Sequence, residues 1–143
     1  MLPELARRYA DTGKVKFVWH DFAWIGEESR LAAQAARCAG RQGEFWEFHD
    51  HLYNNQRGDN QGHFSAANLR TFAGVLALDV ASFSLCLEQR QDLLAIQQEL
   101  TAAREMGVTA TPTFFINAQR VTGPRSVDVF AEVIEVELVK AGR

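Results

Sequence analysis

From Glu27 to Met106 the apolar residues recur at helical spacing with almost no strand signal, and strand-type sequence appears only on either side of that block. Leu31, Ala32, Ala35, Ala36 and Ala39 make a small-residue face that permits close helix contact, with Gly40 near the stop. Phe45, Phe48, His49 and Leu52 line one face of a short aromatic helix, flanked by Trp46 and Tyr53. The polar, glycine-punctuated stretch Asn54 to His63 is expected to be the most mobile segment. Ser65 caps a helix carrying Leu69, Phe72, Ala73 and Leu76. Val80, Phe83 and Leu87 mark another, and Leu93, Ile96, Leu100 and Ala103 a longer one that ends at Gly107.

Before the block, Leu2, Leu5, Ala6 and Tyr9 predict a helix closed at Asp11-Thr12-Gly13. Val15, Phe17 and Trp19 then alternate with Lys16 and His20, which predicts a strand over Val15 to His20. After the block, Thr113 to Ile116, a turn at Asn117-Ala118 and Gln119 to Thr122 predict a hairpin. Ser126 caps a last amphipathic helix through Val127, Phe130, Ile134 and Leu138. The order is helix, strand, helical block, strand, strand, helix.

At 143 residues, 47% hydrophobic and 23% charged, the chain has the size and composition of one ordinary globular domain. Its net charge of -3 offers no electrostatic footprint for nucleic acid or an anionic membrane, which leaves small molecules and proteins as partners. The longest apolar runs are strand-length. Arg7, Arg8 and Asp11 interrupt any signal-like apolar stretch, so the chain as written is expected in the cytoplasm. No motif calls for a cofactor.

Two residue sets carry the chemistry to be explained. Cys38 and Cys86 are too far apart for a local C-x-x-C redox or zinc motif, and each reads either as a buried small hydrophobe or as half of a mutual disulfide. A bond between them would stabilise the fold by about 4 kcal/mol in the loop-entropy model. The second set lies in GVTATPTFFIN, Gly107 to Asn117, where Pro112 stands at the mouth of an apolar strand and removes a ladder donor. The ordinary reading is a trans proline at a strand start.

The element order, with LPELARRYADTGKVKFVWHDF, AAQAARCAGRQGEFWEFHDHLY, LALDVASFSLCL and AREMGVTATPTFFINAQRVTG, resembles the DsbA-like branch of the thioredoxin superfamily over nearly the whole chain. The resemblance implies an α/β, thioredoxin-like fold of DsbA type with an all-helical insertion. An incomplete thioredoxin-like domain is expected over residues 1–24 and 107–143, and the helical insertion domain over 25–106. It also implies that the Thr111-Pro112 bond is cis and that residue 111 pairs its backbone with an extended substrate peptide, since a cis peptide is essentially confined to proline. A structural disulfide between Cys38 and Cys86 follows from resemblance too, because some family members carry cysteines in the insert.

The family's C-x-x-C and its first, central strand would precede the segment matching LPEL and are absent from this sequence. The uncapped first helix suggests a start assigned inside that helix, with strand, cysteines and any export signal upstream. Family members are typically extracytoplasmic, and the resemblance implies the same for a full-length protein of this kind. Exchange chemistry needs a thiolate at a helix N-terminus and a resolving cysteine two residues inward, so this chain is expected to be catalytically inactive. The unfilled place beside Val15 to His20 and Thr113 to Asn117 predicts a strand from upstream, a homodimer that shares strands, or direct pairing of the two orphaned strands. Protein or peptide thiols are the implied substrates.

Other residues compete weakly. His20-Asp21 lacks a nucleophile elbow, and His49 and His51 face different sides of a helix, which argues against a metal. Phe45, Trp46 and Phe48 read as core, and Glu132, Glu135 and Glu137 as a solvated outer face. Ala110 and Ala118 stand where the family often has glycine. A kappa-type glutathione transferase or isomerase, which shares the insert and needs no cysteine pair, is a second enzymatic reading. A peptide-binding or assembly module without chemistry is a third.

Overall fold

The computed structural model describes residues Met1–Gly142, in two units: 1–20 with 104–142, and 21–103. Arg143, the last residue of the expected outer segment 107–143, lies outside the described residues.

In the first unit, α1 (Leu2–Leu5) runs on into one π-helical turn, Ala6–Ala10, which the periodicity did not foretell. Pro3 sits in the first turn, where its missing N–H costs nothing. Gly13 closes the segment at φ +72°, the left-handed region that glycine enters without a Cβ penalty. Strands β1 (Thr113–Ile116) and β2 (Gln119–Thr122) pair antiparallel, with Phe114 opposite Val121 and Ile116 opposite Gln119. Asn117 takes the positive φ of the tight turn, 53°, which an asparagine tolerates better than most residues. Against this hairpin lies α7 (Val127–Lys140), whose first turn is capped by Ser126 Oγ accepting from the Val129 N–H at 3.4 Å. Leu5, Tyr9, Val121, Phe130, Ala131, Ile134 and Leu138 form the core, and the Phe114 and Phe130 rings meet edge to face at 4.8 Å.

Two expectations are corrected in this unit. The sheet has two strands, and Val15 to His20 is not one of them. The alternation is nevertheless present in burial, with Val15, Phe17 and Trp19 covered and Lys16, Val18 and His20 exposed. The apolar period of two reports which side chains are covered, whereas a strand also needs a ladder partner, and β1 pairs with β2. Direct pairing of Val15 to His20 with β1 does not occur. Glu137, in turn, is not on the outer face: its carboxylate accepts from Lys140 Nζ at 2.7 Å and from Asn117 Nδ2 at 3.0 Å, bonds that hold its pKa below the usual carboxylate value.

The second unit is helical: α2 (Glu27–Gly40), α3 (Phe45–Asn55), α4 (Ala66–Val75), α5 (Val80–Gln89) and α6 (Leu93–Glu105, whose last two residues belong to the first unit). Small side chains on α2, Ala32, Ala35, Ala36 and Ala39, are buried with Phe48, Leu69, Phe83 and Leu87, so the large rings fill space that the alanines leave. Phe48 and Phe83 lie 5.3 Å apart. Trp46 departs from the expected core role, being 44% exposed, because it flanks the buried face marked by Phe48, His49 and Leu52.

Residues 54 and 55 of the expected mobile stretch belong to α3, and the loop that follows, 56–65, is tied at several points. Gly62 and Phe64 donate their N–H groups to the Glu28 carboxylate at 2.5 and 3.1 Å, and Asn60 Nδ2 donates to the Ile25 carbonyl at 3.2 Å. Asn68 Nδ2 donates to the carbonyls of Gly62 and His63.

Asp79 caps α5 by accepting from the Ser82 N–H at 2.8 Å, a bond that holds its carboxyl below the usual value. A carboxyl whose folded pKa is lowered stabilises above its unfolded pKa, and that contribution fades as pH falls through the folded value. Asp79→Ala is therefore expected to lower Tm at pH 7 and to make little difference at a pH below the folded value. Thermal melts of both chains from pH 7 down to pH 2 check this; an equal deficit at both ends would refute it.

Candidate functional site

The loop from Gly107 to Pro112 leaves α6 with Gly107 at φ +78° and its N–H donating to the Arg104 carbonyl at 2.9 Å. Val108 is buried and anchors the loop, whereas Thr109, Ala110, Thr111 and Pro112 are exposed. The Thr111-Pro112 bond is cis. Two bonds fasten the far end: Thr113 Oγ1 donates to the Ala110 carbonyl at 2.7 Å, and the Gly123 N–H donates to the Pro112 carbonyl at 2.8 Å. Arg120, on β2, reaches across to donate Nη2 to the Gly107 carbonyl at 2.9 Å while Nε donates to Thr122 Oγ1 at 3.2 Å. A side chain on residue 107 would meet Arg120 Nη1 at 3.4 Å from its Cβ. Glycine there allows the guanidinium to close over the backbone. Arg120 was not singled out from sequence; its outward position on a short strand reads as a solvated charge.

Cys38 and Cys86 are joined in a disulfide between α2 and α5, with Cα atoms 5.8 Å apart. Cys38 is 1% exposed and Cys86 is partly exposed. Polar groups gather on this bond: Arg41 Nη1 lies 2.7 Å from Cys86 Sγ and 3.9 Å from Cys38 Sγ, and Gln34 Nε2 lies 3.5 Å from Cys38 Sγ. Asp92 holds both donors, accepting from Arg41 Nη2 at 3.0 Å and from Gln34 Nε2 at 3.1 Å, while its own N–H donates to Gln34 Oε1 at 3.1 Å. The sequence signal for these partners is weak: Gln34 and Cys38 on α2 and Arg41 at its C-cap sit at helical spacings of four and three.

A third cluster is ionic. Arg37 donates Nε to Asp21 at 2.7 Å and Nη2 to Glu99 at 2.8 Å, and the Asp21 N–H donates to Glu99 Oε2 at 2.6 Å. Burial works against the guanidinium charge, but the two carboxylates outweigh it and hold its pKa above the ordinary value. Asp21 is thereby engaged in an ion cluster, not presented as a catalytic acid. His49 is buried on α3 with Nδ1 2.9 Å from Asp50 Oδ1, and His51 Nδ1 and Nε2 belong to a ring stacked edge-on to Phe72 at 4.6 Å. Among the described residues no group of three or more His, Cys, Asp or Glu could hold a metal. A depression of about 270 Å³ lined by Leu31, Ala66, Arg70, Leu87, Glu88 and Arg90 involves none of the candidate residues. The structure thus brings Cys38 and Cys86 together and places Thr111 and Pro112 in the other unit.

A family profile described as thioredoxin matches residues 1–136. The chain is 31% identical over 134 residues to a Na(+)/H(+) antiporter NhaA 3 of Salinispora tropica, covering 92% of this chain and 20% of that protein. It is 27% identical over 144 residues to a probable disulfide bond formation protein D of Bacillus cereus, covering 98% of this chain and 66% of that one. The chain therefore spans about a fifth of the antiporter relative and about two thirds of the disulfide bond formation relative. Oxidised BdbD from Bacillus subtilis superposes with a TM-score of 0.85 at 25% identity, over 96% of this chain and 76% of that one. Wolbachia pipientis alpha-DsbA1 shares the fold, with a TM-score of 0.82 at 22% identity over 99% of this chain and 77% of that one. With the helical unit inserted between the N-terminal segment and the β1-β2-α7 segment, the chain belongs to the thioredoxin family and has its DsbA-like fold.

Proposed function

We propose that the chain is a DsbA-like thiol-disulfide oxidoreductase domain whose 143 residues carry the peptide-docking loop and no C-x-x-C pair. The observation that supports this best is the exposed run Thr109 to Pro112, anchored at Val108, clamped by Arg120 and Gly123, and leading through the cis Thr111-Pro112 bond into β1. An extended peptide laid along residue 111 would meet main-chain groups on a loop already fixed at both ends. Thr111 and Pro112 are the docking residues in this reading, and Cys38 with Cys86 stands outside it. Antiport is not drawn from the antiporter relatives, because the match covers a fifth of that protein and no helix among the described residues is long and apolar enough to cross a membrane.

Two measurements test the proposal. Titration of a cysteine-free, extended peptide into the isotopically labelled chain is expected to shift the backbone amide signals of Thr109 to Thr113 and Gly123 and to leave those of α4 in place. No shift in the loop at millimolar peptide would count against docking. Insulin reduction by dithiothreitol in the presence of the Cys38→Ala/Cys86→Ala chain is expected to run at the background rate, since turnover in this chemistry rests on a low-pKa thiolate with a resolving cysteine two residues away. The same insulin result supports a binding module that keeps the groove without the chemistry; faster turnover would exclude that module.

A further inference from the structure

The geometry points to the Cys38–Cys86 disulfide as a thiol-exchange site in its own right, opened by an external dithiol that attacks Cys86, with Arg41 and Gln34 receiving the sulfurs as thiolates. A disulfide sulfur is a weak acceptor that needs no cationic donor, whereas a thiolate does. Here a guanidinium lies against Cys86 Sγ and an amide 3.5 Å from Cys38 Sγ, and both are held by Asp92. A cross-link serving stability alone is better left in apolar surroundings, where burial raises the thiol pKa and slows exchange. The polar set on this bond does the reverse. Its own charge is tempered by Asp92, whose carboxylate pairs with Arg41 at 2.8 Å.

The asymmetry of burial fixes the direction of attack. Cys38, 1% exposed, is closed to an incoming thiolate, and Cys86 is partly exposed. In the first step one thiolate of the dithiol bonds to Cys86 Sγ, the Cys38–Cys86 bond breaks, and its electron pair goes to Cys38 Sγ, where the Gln34 amide donates. In the second step the other thiolate of the same reductant attacks the reductant sulfur in the mixed disulfide and expels Cys86 Sγ as a thiolate beside Arg41. The protein disulfide gains two electrons and the dithiol loses two, becoming a cyclic disulfide; the two thiol protons of the reductant pass to solvent or to the new thiolates. A leaving thiol of lowered pKa departs faster, which is what the two donors supply.

The test uses the full chain at pH 7. Exposed to excess glutathione, trapped with acid and mapped by mass spectrometry, it is expected to carry the mixed disulfide on Cys86. Under dithiothreitol, followed by iodoacetamide quenching, it should lose the bond without denaturant, and Arg41→Gln should slow about tenfold the release of Cys86 from its mixed disulfide with the reductant. Far-UV circular dichroism at the assay temperature confirms that the variant is folded. Adducts on Cys38 or equally on both cysteines, reduction only in denaturant, or an unchanged or faster rate in a folded Arg41→Gln chain would each overturn the assignment. The last outcome is a sharp one, because removing Arg41 also uncovers Cys86 and would speed attack if access alone controlled it.

Discussion

Replacing both Cys38 and Cys86 by alanine is expected to lower the unfolding free energy by about 4 kcal/mol, the loop-entropy value for a closure of this length. The bond joins α2 to α5 across a sequence separation of 48, so the unfolded chain regains a large loop when it is cut. The rest of the α2–α5 contact survives, since Ala35, Ala39, Phe83 and Leu87 remain buried together in the same core. The expected result is a fold that persists with a much lower urea midpoint. Urea titrations of the native, the dithiol-reduced and the double-alanine chains, followed by helical ellipticity, measure it. The reduced and alanine chains should fall by similar amounts; a loss under about 1 kcal/mol in both would show that the link adds little to a helical unit already held by packing.

Arg37→Leu is expected to cost about 3 kcal/mol, toward the low end for breaking a buried ion pair because Glu99 keeps some contact with solvent. Leucine retains much of the apolar stem of arginine, so the loss isolates the guanidinium. Without it, Asp21, 4% exposed, and Glu99 both lose the guanidinium that α2 supplies. Asp21 is the first residue of the helical unit, and Arg37 binds it to α2 while Glu99 binds it to α6. Adding Asp21→Asn to Arg37→Leu should recover a good part of the stability, because one of the two carboxylates that lost the guanidinium is then gone. Chemical denaturation of the two single variants and the double variant closes the cycle. If Arg37→Leu unfolds at the native midpoint, the cluster is a surface pairing of little weight.

The sequence was legible where periodicity and local caps decide the structure. Leu69, Phe72 and Ala73 behind Ser65, or Phe130, Ile134 and Leu138 behind Ser126, state a helix and its start within a few residues, and the helices are found there. The hairpin is equally local, since Asn117 meets the turn's need for positive φ. Val15 to His20 shows the limit: alternation dictates which side chains are covered, but strand pairing depends on a partner that no local pattern supplies. The candidate sites were harder for the same reason. GVTATPTFFIN could be singled out because proline is conspicuous at a strand mouth, whereas Arg120 looks like any exposed charge until its reach to Gly107 is seen. Arg37 and Arg41 meet partners 62 and 51 positions away, and an arginine on a helix reads as solvated whatever lies opposite. Cys38 and Cys86 stood in between, with burial and bonding both open until α2 and α5 were set side by side.

The clasp that Glu28 and Asn60 place on the loop after α3 has a practical side. Its bonds fall on Ile25, Asn60, Gly62, Phe64 and their neighbours toward α4, and pass over Arg57, Gly58 and Asp59, all three on the surface. A fluorophore, an affinity tag or a split point for joining two halves of the chain would find its least disruptive seat at those three residues, while the same insertion five positions later would cut the fastening between α2 and α4.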